Sequence, residues 1–142
     1  MTKMTKRLLK ARLDAPGGMR GVAFDAWFLP LILETLEPVQ KDIMEWLVLI
    51  PPTEPINTSD LCVAIRNTPT ATGAALSDLR KLGLIETTHR VDDDNTRRAY
   101  HLALGWVRAG YAMALQWDKE RMQELMDEPQ VIYGRRSWRE VD

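Results

Sequence analysis

The chain is short of the residues from which most catalytic, secreted and membrane-bound proteins are built. With one cysteine, Cys62, in 142 residues, an intrachain disulfide is impossible and a reducing compartment is the expected setting. Its two histidines, His89 and His101, lie in one short stretch and supply no set of nucleophile, base and orienting group. The longest apolar run, AWFLPLIL (26–33), falls far short of the roughly twenty residues that cross a bilayer. The start, MTKMTKRLLKARLD, lacks the uninterrupted apolar core of a secretory leader, so a cytoplasmic protein with no membrane partner is expected. The glycines of APGGMRG (15–21) follow no strand and end in no Gly-Lys-Ser/Thr, which excludes a phosphate-transfer loop. Charge of one sign is missing too: a net −1 excludes a generally basic nucleic-acid coat.

What is present suits one soluble domain, with 45% hydrophobic and 27% charged residues. The charge is unevenly placed. Residues 1–20 hold six basic residues and one acidic, whereas residues 21–60 hold one basic and seven acidic. This divides the chain into a basic N-terminal arm and linker (1–21), a central domain (22–128) and a tail (129–142). Within the arm, residues 5–13 can form a short basic helix. VAFDAWFLPLILETLEP (22–38) is apolar enough for a buried helix, kinked or divided at Pro30. VQKDIMEWLVLI (39–50) has apolar residues at helical spacing and is stopped by PPTEP (51–55).

The next segment carries the functional signal. NTSDLCVAIRN (57–67) reads as a helix capped at Asn57 or Thr58. In NTPTATGAALSDLRKLG (67–83), Thr68 suits the cap, Pro69 the first helical position and Gly83 the C-terminal end. Thr72, Ala75, Leu76, Leu79 and Leu82 form its inward face. Two short helices across a tight turn make a helix-turn-helix (57–83). LIETTHRV (84–91) and RRAYHLAL (97–104) alternate in polarity around the turn residues DDDNT, which predicts a hairpin, or wing (84–104). A long helix (106–128) follows. The expected class is mainly α with a small β-hairpin (α+β), a winged helix-turn-helix flanked by N- and C-terminal helices.

Thr68-Pro69-Thr70, Leu79 to Glu86 and Asp94 to Leu104 resemble the MarR-type winged helix-turn-helix transcription regulators over about a third of the chain. The resemblance implies a regulator, dimeric through the flanking helices, that binds double-stranded DNA. The recognition helix would enter the major groove, and a wing arginine steadied by an aspartate would enter the minor groove. Carried onto this sequence, the DNA-binding candidates are Thr68, Thr70, Ala71, Gly73, Ala74, Ser77, Arg80 and Lys81 on the helix, with Arg90, Arg97 and Arg98 on the wing. The chain departs from the family at Ala74, where an arginine is common, so polar readout falls to Ser77, Arg80 and Lys81. Alternation sends Arg97 and Arg98 to opposite faces, one toward DNA and the other inward or onto an aspartate.

Other chemistries compete at the same residues. His89 and His101, if opposite one another, would place two imidazoles near three aspartates, but no metal-ligand spacing is present. No metal, no cofactor and no enzymatic activity are expected. Cys62 reads as a small buried residue. Trp27, Trp46, Trp106 and Trp117 read as core or dimer interface, with packing favoured over a ligand cleft lined by Trp46, Met113 and Trp117. Val107, Tyr111, Leu115, Met122, Leu125 and Met126 make an apolar stripe too wide for a lone helix. Two readings remain beside a repressor-like regulator: a protein–protein interaction module without base readout, and a replication or recombination accessory factor.

Overall fold

Punctuation by caps and prolines sets the elements of the structure, a computed structural model that describes residues 2–15 and 21–127. Helix α1 covers Thr2–Asp14, α2 Val22–Glu34 and α3 Pro38–Leu47. Pro30 sits inside α2 without dividing it; the break comes before Pro38, where Glu37 and Gln40 form a reciprocal capping box. A two-residue strand, β1 (Ile56–Asn57), leads into α4 (Thr58–Ile65), capped by Asn57 Oδ1 accepting from the Asp60 N–H at 2.8 Å. Helix α5 (Pro69–Lys81) is capped by Thr68, whose Oγ1 accepts from the Ala71 N–H at 3.1 Å. It ends at Gly83, φ 77°, as the Leu84 N–H reaches back to the Leu79 carbonyl at 3.1 Å. That positive φ and backward bond make the C-terminal motif that favours glycine.

Strands β2 (Ile85–Val91) and β3 (Arg97–Ala103) form the wing, and α6 (Gly105–Asp127) closes the fold. The sheet order is β1-β3-β2, all antiparallel, with Ile85 opposite Ala103 and Val91 opposite Arg97. The winged-helix outline expected from residues 57–104 is therefore the one found, with β1 as a third strand that was not foreseen. The core joins Leu29 and Ile32 of α2, Ile43, Met44 and Leu47 of α3, Leu61 of α4, Leu76 and Leu79 of α5, Leu84, and Val107 of α6. Of the face expected on α5, Thr72, Ala75, Leu76 and Leu79 are buried and Leu82 is half-buried.

The basic segment expected to be an arm is, over its described residues, a docked helix. Thr5 is buried and shares a 2.6 Å hydroxyl contact with Thr35. Arg12 bonds both carboxylate oxygens of the buried Asp25, at 2.7 and 3.2 Å, and its guanidinium lies 3.8 Å from the Trp106 ring centroid. Beneath this pair, α2 and α6 meet at Gly110, where an added Cβ would come within 3.0 Å of the Asp25 Cβ. Most of the breaker APGGMRG and the tail beyond Asp127, which contains the basic stretch YGRRSWR (133–139), lie outside the described residues.

Candidate nucleic-acid interface

Burial on one side of α5 leaves the other side free. Thr70, Ala74 and Lys81 are exposed and Ser77 is half-exposed, all at helical spacing, with exposed Arg80 beside them. Thr68 is exposed, and Ala71 and Gly73 are half-exposed. Nothing lies within 4 Å of a Cβ built on Gly73. Packing does not require glycine there, so the small face of Gly73 and Ala74 is open ground. Asp78, the acid of this helix, accepts from Gln40 Nε2 at 3.4 Å.

In the wing the arginines separate as alternation requires. Arg98 donates to Asp92 and, through two nitrogens, to Asp94 at 3.1 and 2.9 Å. Tyr100 donates its hydroxyl to the other Asp92 oxygen at 2.6 Å. Together Tyr100 and Arg98 hold the Asp92 carboxyl below its ordinary range. Arg98 and the Thr96 backbone N–H take Asp94 down to about 2. Asn95, at φ 63°, turns the loop, and its N–H bonds the Asp92 carbonyl at 2.8 Å. Two of the three aspartates are thus spent on Arg98, while Asp93 is exposed. Arg97 points to the other face of the sheet and has no carboxylate partner among the described residues. Arg90 lies opposite Arg98 in the register, 5.1 Å from the Tyr100 ring centroid, and likewise forms no ion pair.

Between α5 and the wing lies a cleft of about 360 Å³ lined by Gly73, Leu76, Arg80, Thr87, His89, Ala99 and His101, with Thr58 behind them. His101 is buried, and both ring nitrogens are engaged: Nδ1 with Thr87 Oγ1 and Nε2 with Thr58 Oγ1, each at 2.8 Å. Burial first, then the charges of Arg80 and His89, pull its pKa down to about 4. The imidazole is therefore neutral at pH 7. The register sets His89 opposite Ala99 and His101 opposite Thr87, so the histidines do not face each other as a metal pair would need. Sequence reasoning missed His101 as a structural hub, since alternation marks its face of the strand but not the hydroxyls that meet it.

The aromatic expectations divide. Trp106 is half-buried, but Trp27, Trp46 and Trp117 are exposed, as are Leu115, Met122, Leu125 and Met126 along α6. Cys62 is buried. Trp46 borders a surface pocket of about 410 Å³ with Asp42, Glu45, Leu49, Ala64 and Ile65, not with Met113 and Trp117.

No family model and no curated protein matches the chain. Solved structures do. The complex of MepR from Staphylococcus aureus with DNA is 19% identical over 71% of this chain and 80% of that one, with a TM-score of 0.50. This is the winged-helix fold of the MarR-type regulators. A second structure of MepR, described as a transcription regulator of the multidrug efflux pump MepA, is 15% identical over 80% of this chain and 75% of that one, TM-score 0.48. A possible transcriptional regulator from Methanosarcina mazei is 15% identical over 70% and 83%, TM-score 0.48. At these identities the likeness is one of fold, so function has to be argued from the residues.

Proposed function

We propose that the chain is a double-stranded-DNA-binding transcription regulator with no enzymatic activity, acting as a homodimer of the repressor-like MarR type. The observation that carries this reading is the shared surface of α5 and the wing. Arg80, Lys81 and Arg97 lie on it or at its edge and form no ion pair among the described residues, whereas Arg90 shares the opposite face of the wing with Arg98. Unpaired cations around a cleft that small residues leave open suit a polyanion better than a folded acidic protein surface.

On this reading α5 enters the major groove. The Thr68 hydroxyl, whose oxygen is the helix cap, still has a proton to give a phosphate, and Thr70 presents its own hydroxyl at the positive end of the helix. Gly73 and Ala74 allow close approach and contact with thymine methyls, while Ser77, Arg80 and Lys81 give polar contacts. Arg97 reaches toward the minor groove. Arg98 serves differently, drawing Asp92 and Asp94 away from the phosphates. Exposed Trp27 and Leu31 of α2 and the outer half of α6 supply the surface that a second copy would cover.

Binding of duplexes of randomised sequence, followed across salt concentrations, tests the reading. The wild type should bind at low salt, with log K falling linearly against log salt. Arg97→Ala combined with Lys81→Ala should reduce that slope by about two. A stable dimer that binds no duplex at low salt would overturn it in favour of the interaction module.

A further inference from the structure

Four side chains from four elements form a single hydrogen-bonded line across the cleft. Arg80 of α5 donates from Nη1 to Thr87 Oγ1 of β2 at 3.1 Å. Thr87 Oγ1 lies 2.8 Å from His101 Nδ1 of β3, and His101 Nε2 lies 2.8 Å from Thr58 Oγ1 at the start of α4. One arrangement of protons satisfies all of them. Arg80 gives to the Thr87 oxygen, the Thr87 hydroxyl gives to an unprotonated Nδ1, and the proton on Nε2 goes to Thr58. The opposite tautomer would leave the Thr87 hydroxyl proton without an acceptor in the line.

The line is fixed at its inner end. His101 is buried, while Arg80 at the outer end is exposed on the face that carries Lys81 and Ser77. A free arginine samples many rotamers, and ordering it on DNA costs entropy; one already held by a neutral acceptor has lost part of that freedom beforehand. Thr87 is also an uncharged partner. It fixes the guanidinium without neutralising it, whereas Asp92 and Asp94 neutralise Arg98. The charged and titratable groups facing the imidazole are Arg80 and His89, both of which disfavour a proton on it.

We propose that Thr87 and His101 are positioning residues for DNA recognition, holding Arg80 at a fixed place between the recognition helix and the wing so that both meet the duplex in one register. This rests on the DNA-binding reading above.

Duplex binding by the full-length chain, measured against salt for a small set of variants, tests the proposal. Thr87→Val should weaken binding by about tenfold with an unchanged salt slope, because Arg80 keeps its charge, whereas Arg80→Ala should lower the slope by about one. Thr87→Ser should restore wild-type affinity. In the Arg80→Ala background, Thr87→Val should add no further loss. Nitrogen NMR of the wild type should report the Nε2–H tautomer of His101. Wild-type affinity in Thr87→Val, an equal penalty with and without Arg80, or the Nδ1–H tautomer would each overturn the proposal while leaving DNA binding intact. Absence of duplex binding by the wild type would instead sink the DNA reading, and the proposal with it. If Thr87→Val fails to fold, Thr58→Val interrupts the same line from its far end, with the same results expected.

Discussion

Arg12 holds Asp25 at 2.7 Å where the two side chains are 22% and 8% exposed, sandwiched between Trp106 and the crossing of α2 and α6. Arg98 holds Asp92 and Asp94 on the wing, where its own side chain is 35% exposed and that of Asp94 54%. The bonding is the same and the setting reversed. In the first pair the carboxylate has left water and the guanidinium is mostly covered, so losing the arginine strands Asp25 in a poor solvent. In the second, water replaces whatever is lost, and the pair shapes the tip of the wing more than it stabilises the fold. The two glycines follow the same division: Gly110 is hemmed in by Asp25, and Gly73 faces open space. One side of the molecule is closed and intolerant, and the other is kept open.

Removing each arginine should give the largest contrast. Arg12→Ala should cost about 3 kcal/mol of folding stability, since it leaves Asp25 unpaired. Arg98→Ala should leave the urea midpoint nearly unchanged yet weaken duplex binding about tenfold, because Asp92 and Asp94 would then face the phosphates uncompensated. Equal stability losses in urea denaturation would show that the two ion pairs do not differ in this way.

A pH series asks the same question of the open side. His101 titrates near 6.5 when unfolded and at about 4 when folded. As pH falls through that window the unfolded chain takes up a proton that the native chain refuses, so stability is lost, by about 3 kcal/mol in all. Above 6.5 and below about 4 the group contributes no slope. His101→Gln should flatten the change in urea midpoint between pH 7 and pH 5; an unaltered profile would assign it to other groups.

The smallest effects, opposite in sign, come from the glycines. Gly110→Ala should destabilise by about 2 kcal/mol, as α2 and α6 are forced apart. Gly73→Ala should stabilise by about 0.5–1 kcal/mol through helix propensity while reducing duplex affinity, if close approach of the backbone is what the open face is for. Thermal unfolding beside a binding isotherm measures both.

Much of the open side could be read in the chain. Thr68, Pro69 and Gly83 bound α5 because capping, the first-turn preference of proline and a positive φ are local requirements, legible without knowing the tertiary structure. Alternation likewise predicted that Arg97 and Arg98 would part company, although only the register around Asn95 decides that Arg98 takes the aspartates. The closed side was largely illegible. Arg12 and Asp25 lie on separate helices, and nothing in either segment encodes that they meet; the counts of charge mark only a basic arm. Strand β1 is two residues long, too short for any period to register. The hydroxyls on either side of His101 come from Thr58 and Thr87, distant in sequence from it and from each other.

Helix α6 carries a further implication through its length. It runs for 23 residues, but only Val107 and Gly110 near its start are buried, and it follows β3 with the single residue Leu104 between them. Beyond Gly110 it extends about 25 Å, so a tilt of ten degrees at that crossing would swing its far end by about 4 Å. Were the helix to pivot at the tight Asp25–Gly110 approach, the wing would lie on the short arm of a lever and the exposed end of α6 on the long one. In a dimer joined at the long arms, a change of angle smaller than a hydrogen bond's tolerance would become a change in the spacing of two recognition helices, which have to match one turn of DNA.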